Sequence, residues 1–160
     1  MMSELDVRVV ELEPMRVASF HGYGASPEND AAEKLIAWAK PRGFLDTPGE
    51  HRIFGFDNPS PSPGSPNYGY EFWITVGSDI KSDDVEIRDI PGGLYAVARC
   101  EVKNNPYEAI PSMWQRLVAW CEASSSYECA AIQELEEHIE PIPFGISDNL
   151  TLDLYLPIRK

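Results

Sequence analysis

The chain is 160 residues long, 43% hydrophobic and 24% charged, which is enough for one globular domain with its own core and too apolar for a disordered chain. Its 26 acidic residues against 13 basic ones leave a net charge of −13, and no cluster of Lys or Arg offsets it, which excludes nucleic acid as a direct partner. No apolar run approaches the ~18 residues that span a bilayer, so no membrane role is expected either.

Met1-Met2-Ser3-Glu4 lacks the basic and apolar character of a secretory signal. Val7 to Glu13 and Met15 to Tyr23 then read as two strands of a hairpin turning at Pro14. Ser26-Pro27-Glu28 is a helix start, with a hydroxyl cap, a proline at the first helical position and an acid in the first turn. Ala32, Leu35, Ile36 and Ala39 repeat at helical spacing until Pro41-Arg42-Gly43 stops the helix. His51 to Phe56 and Tyr68 to Val76 read as two more strands. Between them Asp57 to Asn67 holds four prolines, the pattern of a stiff, exposed hairpin loop, with a lid over a cleft as the alternative.

Val85 to Ile90 and Leu94 to Val102 repeat the strand pair, with Gly92-Gly93 as the turn. Asn105-Pro106-Tyr107-Glu108 starts a second helix, running to about Ala123, that either begins nearer Ile110 or is kinked by Pro111. Ile110, Met113, Trp114, Leu117, Val118 and Cys121 form its apolar stripe, in the first instance core. Ile132 to Glu140 and Leu150 to Ile158 close the chain as strands.

The order strand, strand, helix, strand, strand therefore occurs twice. Trp38 and Trp120 stand 82 positions apart, as do Glu71 and Asp153, and Trp73 and Tyr155. The expectation is a single domain over 1–160 built from two internal modules, about 5–78 and 83–160, with a cleft at their seam.

Cys100, Cys121 and Cys129 are an odd set without a CxxC pair, so neither a disulfide framework nor a zinc knuckle is indicated, and a reducing cytoplasm is the simplest location. His21, His51 and His138 fall on separate predicted strands without ligand spacing, so no metal and no cofactor is expected. The acidic balance has two readings: a solvated surface, or carboxylates around a cleft that draw in cations.

Four stretches, in order, carry a family resemblance. Ile90-Pro91-Gly92-Gly93-Leu94-Tyr95-Ala96-Val97, Asp57-Asn58-Pro59 after an aromatic strand, Leu135-Glu136-Glu137-His138-Ile139 and Leu152-Asp153-Leu154-Tyr155-Leu156-Pro157-Ile158 together resemble the DNA gyrase inhibitor-like (GyrI-like) family. That family includes the effector-binding domains of AraC- and MerR-type multidrug regulators. The resemblance implies an α+β fold of two pseudo-symmetric β-α-β-β modules. They form one curved, mainly antiparallel sheet with two helices on one side, and a ligand cleft opens between the modules on the other. It implies that the cleft glutamate is Glu136, with Asp153 and Tyr155 on the last strand beside it; Trp73 and Trp114 are further candidate ligand walls. His138 departs from the family's usual Tyr or Phe. A carboxylate held in an apolar cleft takes up a proton or attracts an organic cation, which agrees with that role for Glu136. Glu134, Glu137 and Glu140 are expected to crowd negative charge around it.

No helix-turn-helix segment accompanies the module, so the expected function is stand-alone capture of a hydrophobic, cationic small molecule. The alternative is hydrolysis of strained, cyclopropane-bearing natural products, in which Glu136 becomes the catalytic residue. A third reading, protein interaction such as modulation of gyrase, rests on the resemblance alone.

Overall fold

A computed structural model describes residues 5–47, 49–81, 85–130, 132–140 and 149–160. The N-terminal tetrapeptide and the module boundary near residue 83 lie outside the described residues. Among the described residues nine strands and two α-helices follow in chain order: β1 (Val7–Leu12), β2 (Met15–Gly24), α1 (Pro27–Ala39), β3 (Ile53–Asp57), β4 (Tyr68–Thr75), β5 (Glu86–Ile90), β6 (Gly93–Lys103), α2 (Pro106–Ala123), β7 (Glu128–Cys129), β8 (Leu135–Glu140) and β9 (Asn149–Arg159). Eight strands lie in the order β1-β6-β9-β8-β3-β4-β2-β5, all antiparallel, and β7 pairs with β9.

The two halves meet at the central pair β3–β8, where Phe54 faces Glu137 and Gly55 faces Glu136. The expected hairpin of β3 and β4 forms around the proline-rich connection, whereas those of β1 with β2 and β5 with β6 do not. β1 pairs with β6 of the second half, and β5 pairs with β2 of the first. The exchange is reciprocal in register, since Leu12 faces Gly93 while Met15 faces Ile90. Turn chemistry explains it. The favoured two-residue hairpin turns need positive φ at their first central residue, whereas the connections are Glu13-Pro14 and Pro91-Gly92, and neither Glu13 nor Pro91 has positive φ. Each strand therefore runs past its sequence neighbour and pairs across the molecule. Gly92 has φ 80°, and a Cβ there would lie 2.1 Å from the Leu12 carbonyl oxygen, so the two crossing connections leave no room for a side chain.

Strand alternation sends side chains to two faces. One face carries both helices. Ala18, Phe20, Phe72 and Ile74 pack there against Leu35 and Trp38 of α1, and Ala96, Ala98, Leu152 and Leu154 against Leu117 and Cys121 of α2. The helix stripe expected of α2 is thus core, with Ile110, Met113, Trp114 and Val118 partly buried at its margin. The other face has its own core of Leu12, Val17, Phe54, Phe56, Trp73, Tyr95, Val97, Leu135 and Tyr155.

The helix ends differ from expectation in detail. Ser26 and Asn105 occupy the cap positions, but neither side chain bonds a backbone N–H, and Asn105 Nδ2 reaches Glu108 Oε2 instead. Pro27 and Pro106 start the helices without an N–H to satisfy, which lightens the need for a cap. α2 runs through Pro111 in its second turn, where one intrahelical hydrogen bond is forgone. No described helix is long and apolar enough to cross a membrane.

Candidate functional site

Glu136 is the pivot of a polar group on the helix-bearing face. On β8, Leu135 and Glu137 point to the opposite face, while Glu136 and His138 point toward the helices. The Tyr70 hydroxyl donates to Glu136 Oε1 at 2.6 Å and the Trp114 indole N–H donates to Oε2 at 3.1 Å. With its proton given to Glu136, Tyr70 accepts from His138, whose Nε2 lies 3.2 Å from the hydroxyl. Gly55 makes this possible: a Cβ there would sit 2.3 Å from the Tyr70 hydroxyl. Burial pushes the Glu136 carboxyl up to about 7, against the opposing pull of its two hydrogen bonds, and Asp57 and Glu28 add to the rise. Burial also pulls His138 down to about 3, so its imidazole is neutral.

Beside this group lies a cavity of about 200 Å³ between the first turns of α1 and α2. Ile110, Leu150, Leu152 and three prolines (Pro61, Pro106 and Pro111) supply apolar wall, and Tyr68 and Tyr70 supply rings. Its charged lining is all acidic: Glu28, Asp57 and Glu136. Tyr68 donates to Glu28. Asp57 is raised to about 6 by partial removal from water and by Glu28 and Glu134. Among the described residues no Lys or Arg pairs with any of the three. A further space of about 110 Å³, bordered by Trp114, Ser60 and Glu134, shares Asp57 and Glu136 with the first, so Glu136 stands at the partition. The proline-rich connection is exposed, as expected, and reaches the cavity through Pro61.

The structure brings Glu136 and Trp114 together and puts the other expected site residues on the opposite face. The cavity around Glu136 lies on the same side as the helices, not across the sheet from them. Trp73 donates its indole N–H to Glu71 at 2.6 Å. Tyr155 donates to Glu137 at 2.7 Å and accepts from Arg52 at 2.8 Å. Asp153 accepts from Arg99 at 2.8 Å and from Arg8 at 3.1 Å. Glu137 does not add charge around Glu136, because strand alternation turns it away, where Arg52 grips it with two bonds of 2.9 Å. The acids that do raise Glu136 come from α1 and the end of β3.

Sequence reasoning missed Tyr70, Tyr68, Glu28 and the ring of His138 as cavity groups. The Tyr68 to Val76 strand carries rings on both faces, so its phase was undetermined, and the Gly55–Tyr70 contact exists only after pairing. Asp57 had a signal, the Asp-Asn-Pro motif, but no role attached to it.

A model of the integron-associated effector binding protein family (Cass2) matches residues 8–158. No curated protein matches the chain. Among solved structures, the chain resembles a hydrolase from Listeria innocua at TM-score 0.67, with 10% identity over 99% of this chain and 94% of that one. The SAV2435 protein bound to tetraphenylphosphonium superposes with TM-score 0.54 and 10% identity, over 97% of this chain and 94% of that one. EcmrR in its DNA complex gives TM-score 0.67 and 14% identity over 99% of this chain, which spans only 59% of that one. At such identities these three likenesses show the fold alone.

Proposed function

The chain belongs to the integron-associated effector binding protein family, and we propose that its activity is the capture of a lipophilic organic cation in the cavity beside Glu136. The observation that carries this reading is the lining of one apolar cavity by three carboxylates without a basic partner among the described residues. Unpaired carboxylates in apolar surroundings are costly, and a delocalised cation supplies the missing charge without a strongly held water shell. Tyr68 and Tyr70 present rings to such a ligand, each worth ~0.5–2 kcal/mol as a cation–π contact. The binding of tetraphenylphosphonium by a protein of the same fold supports the chemistry.

The test is titration with tetraphenylphosphonium and with triphenylphosphine oxide, an uncharged molecule of related shape. Glu136→Gln is expected to weaken the cation about tenfold or more and to leave the neutral compound within about twofold. Equal losses for both, or no loss for either, would show that charge pairing does not drive binding.

A hydrolytic reading has one observation in its favour. Glu136 lies near neutrality, hydrogen-bonded to Tyr70, with neutral His138 behind it, which suits a group that takes or gives a proton. A protein of this fold is a hydrolase. Steady turnover of a strained electrophile, abolished in Glu136→Gln, would establish that reading, and binding without turnover would dismiss it.

A further inference from the structure

The face of the sheet away from the helices holds a second cavity, of about 440 Å³. Phe56, Trp73 and Tyr95 line it as a cage of rings, with Phe56 and Trp73 edge to face at 4.8 Å. Leu135 and Ile90 complete its apolar floor, and the cavity has no carboxylate in its lining.

Two features say what it takes. The first is electrostatic balance. The one charged group in the lining is Arg88, and its NH1 already pairs at 3.2 Å with Glu71, an acid only 2% exposed. Glu71 is saturated on that side by Ser19, Asn58 and Trp73 as well. A cation entering here meets no free acid, and an anion meets a guanidinium that is already matched, so the cavity suits an uncharged guest. The second feature is Tyr95. Its side chain is 4% exposed, it lines the cavity, and among the described residues its hydroxyl has no hydrogen-bond partner. Nor is that hydroxyl an enclosed orphan, since among the described residues the buried unpaired side-chain polar atoms are the Arg16 Nε and the Trp38 Nε1. Burial raises the Tyr95 hydroxyl above its ordinary range, which keeps the proton on it and makes it a donor. A phenol held among rings at the edge of an open cavity is free to donate to an acceptor brought from outside.

We infer that this cavity is a second small-molecule site, selective for planar, uncharged aromatic compounds that carry a carbonyl acceptor for Tyr95. The sheet then presents two chemically sorted sites back to back, one for cations on the helix-bearing face and one for neutral aromatics on the other.

Coumarin is a suitable probe, being flat, uncharged and equipped with one lactone carbonyl. Calorimetric titration is expected to show one coumarin bound per chain. Tyr95→Phe should weaken it about fivefold, the loss of one neutral hydrogen bond, while Glu136→Gln leaves it unchanged. Because the hydroxyl has no partner in the protein, Tyr95→Phe should leave the melting temperature unchanged or slightly raised, so a drop in affinity would not reflect unfolding. N-methylquinolinium, flat and cationic, should show the opposite dependence on the two variants. Absence of coumarin binding up to its solubility, an unchanged affinity in Tyr95→Phe, or a loss in Glu136→Gln would each overturn the second site. None of these outcomes bears on tetraphenylphosphonium binding beside Glu136, which stands or falls separately.

Discussion

Glu136 is held by two hydrogen bonds in a location that disfavours its charge. Its carboxyl titrates near 7 instead of the usual 4.5, so the folded state holds a proton that the unfolded state releases between those values. Stability contributed by the protonated form is present below about pH 4.5 and lost as pH rises through about 7. Glu136→Gln, which cannot ionise, is therefore expected to stabilise the ligand-free protein at pH 8 by about 2–3 kcal/mol and to change little at pH 4, as chemical denaturation at the two pH values would show. The proposed cation binding runs the other way. It needs the ionised carboxylate, so affinity should rise with pH through about 7, with Asp57 near 6 broadening the curve. The Tyr70 hydrogen bond lowers the Glu136 value, so Tyr70→Phe should move the midpoint of that curve upward by up to about one unit, a shift that a purely structural lesion would not produce.

Two connections illustrate how local backbone demands are set by what lies across from them. Gly64, in the proline-rich connection, and Gly92, between β5 and β6, share φ 80°. A Cβ on Gly64 meets nothing within 4 Å, whereas on Gly92 it meets the Leu12 carbonyl at 2.1 Å. Gly64→Ala should therefore cost about 1 kcal/mol, the conformational penalty alone. Gly92→Ala should cost several kilocalories per mole, because the exchanged strands must part to admit a methyl group. Thermal melts of the two variants side by side check this, and equal losses would mean that the crossing of the connections is not tight. The expected lid finds a partial counterpart in Pro61, which touches a cavity of about 200 Å³. That volume falls below the ~300–1,000 Å³ common for drug-sized ligands, so a bulky cation must displace the proline-rich connection or open the adjoining space past Glu136.

Across the whole molecule the sheet separates paired from unpaired charge. On the face away from the helices Arg52, Arg88 and Arg99 hold Glu137, Glu71 and Asp153. On the helix-bearing face Glu28, Asp57 and Glu136 line a cavity without a Lys or Arg among the described residues. The net charge of −13 adds a long-range field to that local one. The association rate of an organic cation should fall as salt rises, while that of a neutral aromatic stays constant, a contrast that stopped-flow fluorescence of the tryptophans can follow. The same field opposes a phosphate backbone. Duplex DNA should show no mobility shift at micromolar protein in physiological salt, and a salt-sensitive shift would contradict this.

The order of elements was legible in the sequence because it is encoded locally. Alternating apolar residues mark strands, Ser26-Pro27 and Asn105-Pro106 mark helix starts, and short motifs mark recurrent positions. Pairing was not legible. Pro14 and Gly92-Gly93 looked like hairpin turns, yet the partner of β1 is β6, because what a strand pairs with depends on which edge lies within reach after both halves have formed. The face of each aromatic on β4 was equally undetermined, since period-two alternation fixes which residues share a side but not which side meets a helix. Tertiary structure alone placed Tyr70 over Gly55 and beside Glu136, turned Glu137, Asp153 and Tyr155 to the arginines behind, and brought Glu28 and Asp57 to one cavity from segments far apart in the chain. Electrostatic character at a site is a sum over neighbours in space, and a linear sequence specifies those neighbours only through the fold.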